Sequence, residues 1–532
     1  MNDRLSAGAR AALGFWASLV ACGAFACSSD ASRSTAAPPS ATAPLDPADA
    51  RGGAGGGSVE TPDGASDGFG SGGSGEGQPS LPLEPDRDDP GNGAAPVEDA
   101  AAPSEGTAPL DAGQPEPLPP LPGWALNGIV GTGQSLSVGE QARDVASTTQ
   151  AFGNLMLRLP ANPLPLDPGA EGFGLVPLVE PLRAFASTYP SAYPANIYGE
   201  TPHTAMANQI SSLARSELGR VFRSVHSVVG ENGQGMSVIE KGAAEAVMGA
   251  TSAGRAYAAT LFEAAVIARL AREQGLSYGV GAVIITHGEA DAGNTNYGSE
   301  LIQLRRDYEQ DLRTITGQAE DVLMLISQQH SVPDAFGSRS ASTQAQWRVG
   351  VELPGEIVCS GPKYQYAYAA DGVHLVTLGY QMLGEKYGQV YYERRVAGRA
   401  FQPLQPLELS RTGRSVSVRF HVPVAPLVFD TGLPSPHASS AAWAAGRGFE
   451  VWQNDRRVTI ESVEIAGDSV VITCAEDIGA GYTLGYAATT DGVLRPGGTR
   501  RWGQLSDSDP FVGSTTGRAQ PNFAVAFELA IP

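Results

Sequence analysis

Four cysteines in 532 residues are too few for a disulfide-scaffolded fold. No Cys-x-x-Cys pair or Cys/His cluster has the spacing of a zinc site, so no metal and no other cofactor is expected. Charge is sparse too: 17% of residues are charged, 35 of them basic and 56 acidic, for a net −21. There is no basic stripe to neutralise phosphates, which argues against a nucleic-acid partner. No apolar run is long enough to span a bilayer. What is plentiful is glycine (66) and proline (39), concentrated towards the N-terminus. Hydrophobic residues still make up 42% of the chain, enough for a sizeable core in the remainder.

The first 27 residues read as an export signal. Arg4 and Arg10 precede an apolar run from Ala11 to Ala21, the length of a signal-peptide core. The run ends in Leu19-Val20-Ala21-Cys22, which resembles a bacterial lipobox, with Cys22 as the lipidated residue. Cys27, in Ala24-Phe25-Ala26-Cys27, is a second candidate, and an ordinary secretory leader is the alternative to both. The reading places the protein in the bacterial cell envelope, touching the membrane through the lipid only. Residues 28–120 follow as a Gly/Pro/Ala/Ser/acidic stretch with almost no aromatics. They carry 16 acidic against 3 basic residues, which is most of the net charge. Such a composition cannot bury enough apolar area to offset chain entropy, so a disordered tether is expected.

From about residue 121 the pattern changes. Ala125–Val130, Arg220–Val229, Val280–Thr286 and Val322–Ser327 read as buried strands, and Ala205–Leu218, Ala256–Gln274, Tyr297–Ile315 and Thr377–Arg395 as helices. Alternating strands and helices predict an open parallel sheet covered on both faces, an α/β domain over 121–400. Residues 401–532 carry short alternating runs between Gly, Asp and Pro turns, among them Ser415–Val422, Ser469–Thr473 and Phe523–Glu528. They predict a C-terminal all-β module of sandwich type.

Ligands of open α/β sheets bind beyond the carboxyl ends of the strands, so those positions carry the candidates. The first strand runs into Gly131-Thr132-Gly133-Gln134-Ser135, a tight turn that would present the Ser135 hydroxyl beside outward-pointing N–H groups. A later strand runs into His287-Gly288-Glu289-Ala290-Asp291. Downstream, Asp371-Gly372-Val373-His374 places a carboxylate and an imidazole on one loop. The carboxylate can fix the tautomer and leave the other ring nitrogen free as a base.

These blocks resemble those of the SGNH hydrolases, in particular the sialate O-acetylesterase and acetylxylan-esterase branch. Gly133-Gln134-Ser135 is similar to its first block, His287–Asp291 to its Gln-Gly-Glu-Ser-Asp block, and Asp371-Gly372-Val373-His374 to its final Asp-x-x-His block. Gly233-Gln234-Gly235-Met236-Ser237 resembles the block that donates an oxyanion N–H. The resemblance covers about residues 124–396 and implies a flavodoxin-like three-layer α/β/α fold. It implies Ser135 as nucleophile, His374 as base, and the N–H groups of Ser135 and Gly235 as oxyanion donors. The implied activity is a serine esterase removing acetyl groups from a carbohydrate. Two positions depart from the pattern: Leu136 stands in place of Asn and His287 in place of Gln. His287 can donate one hydrogen bond to an oxyanion or can be a structural residue. Asp371 is preferred to Glu289 as the carboxylate behind His374, because it needs only local loop geometry.

Two rival readings remain: an esterase or lipase on non-carbohydrate esters, and a non-catalytic glycan-binding surface protein that kept the fold. Other conspicuous residues have bland explanations. His203 and His330 lack motif partners, and Asn294 and Asn296 read as turn residues. Tyr364, Tyr366 and Tyr368 alternate as on a packed sheet face, with a sugar site as the alternative. Cys359 and Cys474 could pair across the two domains or be two separate buried thiols.

Overall fold

The computed structural model describes residues 123–160, 167–182, 199–242, 254–335 and 337–532. The export signal with Cys22 and Cys27, and the tether over 28–120, lie outside the described residues.

The chain opens with β1 (Leu126–Gly133), β2 (Leu155–Arg158), β3 (Gly174–Pro177), α1 (Pro202–Leu218), β4 (Ser224–Gly230) and α2 (Met236–Ile239). It continues through α3 (Arg255–Glu273), β5 (Tyr278–Thr286), α4 (Tyr297–Thr316), β6 (Leu323–Gln328), α5 (Ala341–Glu352), β7 (Ile357–Pro362) and α6 (Thr377–Tyr391). One π-helical turn, Tyr392–Val396, ends this half. Seven strands form one sheet in the order β3-β2-β4-β1-β5-β6-β7. All neighbours are parallel except β3, which runs antiparallel on β2 at the edge, so the sheet is mixed rather than wholly parallel.

Side chains alternate across the sheet, and both sets are buried. Val130, Val283, Ile285, Met324 and Ile326 pack under α3 and α4. Ile129, Ala282, Ile284, Leu323 and Leu325 pack under α1 and α6. Helix ends follow local chemistry. Thr201 caps α1 by accepting from the His203 N–H at 3.3 Å, with Pro202 at the first helical position and Gly219 left-handed at the end. Ser340 caps α5, accepting from the Thr343 N–H at 3.2 Å.

The C-terminal half is all β. Strands β8 (Gln405–Thr412), β9 (Ser415–His421), β10 (Val428–Phe429), β11 (Phe449–Gln453), β12 (Arg456–Val458) and β13 (Ile460–Ala466) come first. Then follow β14 (Ser469–Cys474), β15 (Tyr482–Tyr486), β16 (Leu505–Ser506) and β17 (Phe527–Ala530). Two antiparallel four-stranded sheets, β13-β14-β9-β8 and β12-β11-β15-β17, share one apolar core, and β10 pairs with β16. That core includes Trp347 of α5 and Tyr364, so the two halves are joined by packing and not only by chain.

The structure corrects several boundaries. β1 continues three residues beyond Val130, through glycines that read as a turn, and β4 starts only at Ser224. β2 and β3 have four residues each, too short for a periodic signal. α5 and β7 also escaped notice. The helix expected to reach Arg395 ends at Tyr391 and loosens into the π turn. Tyr364, Tyr366 and Tyr368 are buried but lie on a loop and form no sheet face. Cys359 and Cys474 are both buried free thiols, so they do not pair.

Candidate active site

β1 has β4 on one side and β5 on the other, so the chain reverses its direction of winding at β1. That reversal opens a crevice at the carboxyl end of β1, where the Ser135 turn stands. Gly133 makes the turn possible. Its φ is +135°, and a Cβ there would collide with the Thr286 carbonyl oxygen. The Gln134 N–H donates to that same carbonyl at 3.2 Å, tying the turn to the end of β5. Ser135–Ser137 is one 3₁₀ turn, held by Ser137 Oγ donating to the Gln134 carbonyl at 2.6 Å.

His374 comes from the loop between β7 and α6. Its Nε2 lies 2.8 Å from Ser135 Oγ, and its Nδ1 lies 2.7 Å from Asp371 Oδ2. The other carboxylate oxygen of Asp371 accepts the N–H groups of Val373 and His374, at 2.9 and 3.0 Å. Burial alone would raise the Asp371 carboxyl, but the His374 ring and these two N–H groups outweigh it and hold it down at about 2. A carboxylate so held accepts a hydrogen bond from the Nδ1–H and leaves Nε2 free to take the proton of the Ser135 hydroxyl. Ser135 is 6% exposed, so its hydroxyl is sheltered from bulk water.

Glu289 does not reach His374. Its two oxygens accept from Lys363 Nζ at 3.0 Å and from Gln134 Nε2 at 2.9 Å, all three groups being buried. It therefore anchors the residue before Ser135 to the loop after β7. Sequence reading missed Lys363, although a lone lysine just past an apolar strand obeys the strand-end rule that picked out the others.

His287 is fully buried, and both ring nitrogens are occupied. Nε2 faces the Gln234 carbonyl at 2.9 Å, which can only accept, so Nε2 carries the proton; Nδ1 faces the Tyr297 hydroxyl at 2.9 Å. The ring has no N–H left for an oxyanion, which corrects that expectation. Burial also lowers its basicity. Asp291 Oδ2 accepts from the Met236 N–H at 2.7 Å, so His287 and Asp291 together fasten the Gly235 segment to the loop after β5. Among the described residues, the N–H groups of Ser135 and Gly235 have no hydrogen-bond acceptor.

The other singled-out residues lie apart from this centre. His203 Nδ1 meets His226 Nδ1 at 3.0 Å, in a buried pair between α1 and β4. His330 is buried against the Tyr364 ring. Asn294 bonds Asp291 and Glu300, and Asn296 is the cap of α4. Among the described residues no group of three or more His, Cys, Asp or Glu could hold a metal, and no helix is long and apolar enough to cross a membrane.

The catalytic-loop candidate is also gripped from the β half. Arg495 Nη2 donates to the carbonyls of Tyr364 (2.7 Å) and Tyr366 (3.0 Å), and Thr499 Oγ1 donates to that of Gly372 (3.0 Å). Nothing in the sequence marked these residues.

No protein-family model matches the chain, and no curated protein does. Among solved structures, it resembles XAC1771, a carbohydrate acetylesterase from Xanthomonas citri, at 14% identity and a TM-score of 0.48, over 76% of this chain and 80% of that one. It also resembles NanS (12% identity, TM-score 0.30, 51% of this chain and 98% of that one). A third is Est24, a carbohydrate acetylesterase from Sinorhizobium meliloti (12% identity, TM-score 0.25, 50% and 97%). All three TM-scores lie below 0.5.

Proposed function

We propose that the chain is a serine esterase of the SGNH type that removes acetyl groups from a carbohydrate. The observation that carries the reading is the chain of contacts Asp371–His374–Ser135, at 2.7 and 2.8 Å, at the crevice of the sheet. In this reading Ser135 Oγ attacks the ester carbonyl carbon and passes its proton to His374 Nε2. Asp371 holds the imidazolium, and the N–H groups of Ser135 and Gly235 receive the oxyanion. The alcohol leaves with the proton from His374, and water then releases the acid from the acyl-enzyme by the same steps in reverse. Acetyl and carbohydrate come from the family resemblance. A serine-directed fluorophosphonate should label the protein and not Ser135→Ala, and a panel of acetylated glycans should release acetate. A folded wild-type protein that takes no label would establish the non-catalytic alternative, and a preference for long acyl chains would remove the acetylesterase assignment.

The same proposal includes export and lipid anchoring through Cys22. Cys22→Ala should move the protein from the detergent to the aqueous phase on Triton X-114 partitioning. If Cys27→Ala does so instead, the anchor is one candidate further on.

A further inference from the structure

Residues 490–499 of the β half cross the carboxyl edge of the large sheet, between two of its loops. At one end the Thr490 carbonyl accepts from the Gly337 N–H at 2.9 Å, on the loop after β6. At the other the Gly497 carbonyl accepts from the Tyr368 N–H at 3.0 Å, and Thr499 Oγ1 donates to the Gly372 carbonyl at 3.0 Å, both on the loop after β7. Between these ties Leu494 lies directly on the loop that carries Asp371 and His374. Gly372 follows Asp371, and a Cβ added to it would collide with the Leu494 side chain. Val493, one residue before Leu494, is 46% exposed. Its turn is held on several sides. Asp491 Oδ1 accepts the Val493 N–H at 3.3 Å, Thr490 Oγ1 the Gly492 N–H at 3.0 Å, and Asp491 Oδ2 the Ser439 N–H at 3.4 Å. A lone exposed valine is ordinary on a surface. This one is fixed beside the candidate base.

We infer that Val493 and Leu494 form an apolar lip that selects the alcohol part of the ester, so that the β half sets specificity for the leaving group. The inference rests on the esterase reading of Ser135 and His374. In that reading His374 Nε2 hands its proton to the alcohol oxygen as the C–O bond breaks, while the carbonyl oxygen sits at the N–H groups of Ser135 and Gly235. The alcohol therefore lies towards the His374 loop, the loop on which Leu494 rests. A ring with an apolar face, such as the C–H face of a sugar, loses water against this lip, and a methyl group is too small to gain as much. The acyl group is held on the oxyanion side and is outside the lip's reach.

The test measures kcat/KM of the full chain on cyclohexyl acetate, methyl acetate and cyclohexyl propionate, which vary the alcohol and the acyl group separately. Val493→Asp should lower the ratio of cyclohexyl to methyl acetate about tenfold or more, and Val493→Ser should lower it in the same direction. The ratio of cyclohexyl acetate to cyclohexyl propionate should stay as in wild type. Val221→Asp, at a 79% exposed position before β4 and so at the opposite end of the sheet, should leave both ratios unchanged. An alcohol ratio that does not move in either Val493 variant overturns the inference. So does a parallel shift of the acyl ratio, which would mean a disturbed catalytic loop, or the same shift in Val221→Asp. A wild-type protein that hydrolyses none of these esters and takes no fluorophosphonate label removes the esterase reading and the lip with it. A labelled, active protein with an unmoved alcohol ratio removes the lip alone.

Discussion

At the scale of single residues, the two carboxylates near the crevice have different work, and mutation should separate them. Asp371 touches only His374 and its own loop, and its side chain is 38% exposed. Asp371→Asn should therefore keep the fold and lose turnover by up to about 10⁴-fold, close to Ser135→Ala. Glu289 is 6% exposed and faces the fully buried Lys363 ammonium. Glu289→Gln leaves that charge without a counter-charge, and breaking a buried pair costs about 3–5 kcal/mol. Its signature should be a lowered thermal midpoint, with a smaller loss of turnover than Asp371→Asn in whatever protein remains folded. Thermal melts and kcat on a soluble acetyl ester, measured on both variants, decide it. A dead but fully stable Glu289→Gln beside an active Asp371→Asn would reverse the roles. Ser135, Asp371 and His374 were legible because strand-end position and short local motifs carry their geometry. The pairing of Lys363 with Glu289 and of His287 Nε2 with the Gln234 carbonyl was not, because each joins residues more than fifty positions apart.

At the scale of elements, long apolar runs such as β5 and α3 announced themselves, while β2, β3 and α5 did not. β2 and β3 gain their strand character only from pairing at the sheet edge. α5 has a weak apolar stripe, since its polar side chains face the loop after β6: Thr343 Oγ1 donates to the Gln329 carbonyl at 2.8 Å and Gln346 Oε1 accepts the Gln329 N–H at 2.8 Å. Periodicity fails where an element buries polar groups. The end of β1 is tightly constrained. Gly133→Ala would combine an unfavourable positive φ with a clash against the Thr286 carbonyl. It should destabilise the protein by more than about 2 kcal/mol, or displace the turn and abolish turnover. An urea melt with parallel kinetics would check this, and a variant normal in both would show that the turn relaxes freely.

At the scale of the whole molecule, the β half belongs to the candidate site, because Arg495 and Thr499 hold the loop that carries Asp371 and His374. Arg495→Ala should lower kcat about ten- to a hundredfold through misplacement of that loop. A chain ended after Ala400 should fail to fold, since Trp347 and Tyr364 would lose the core they share with β9, β11 and β15. Folding of that shortened chain to a cooperative, active protein would contradict both statements. The whole fold should also respond to acid. His203, His226, His287 and His330 are buried, and burial lowers the basicity of each, His203 to about 3. Below the unfolded value of 6.5 the unfolded chain takes up protons that these folded imidazoles refuse. Stability therefore falls as pH drops from 6.5 towards each folded value, by up to about 1.4 kcal/mol per pH unit for each group. Glu180 runs the other way. Burial raises its carboxyl to about 8, so above 4.5 the fold holds a proton that the unfolded chain releases, which offsets one imidazole between pH 4.5 and 6.5. His330 isolates the effect, because both its ring nitrogens are buried without partners among the described residues. His330→Leu removes two unsatisfied polar atoms and one acid-sensitive group. It should stabilise at pH 8 by about 1–3 kcal/mol and at pH 5 by about 2 kcal/mol more. Denaturant melts of wild type and variant at the two pH values give the difference directly, and an equal gain at both would mean that His330 does not resist protonation in the folded state.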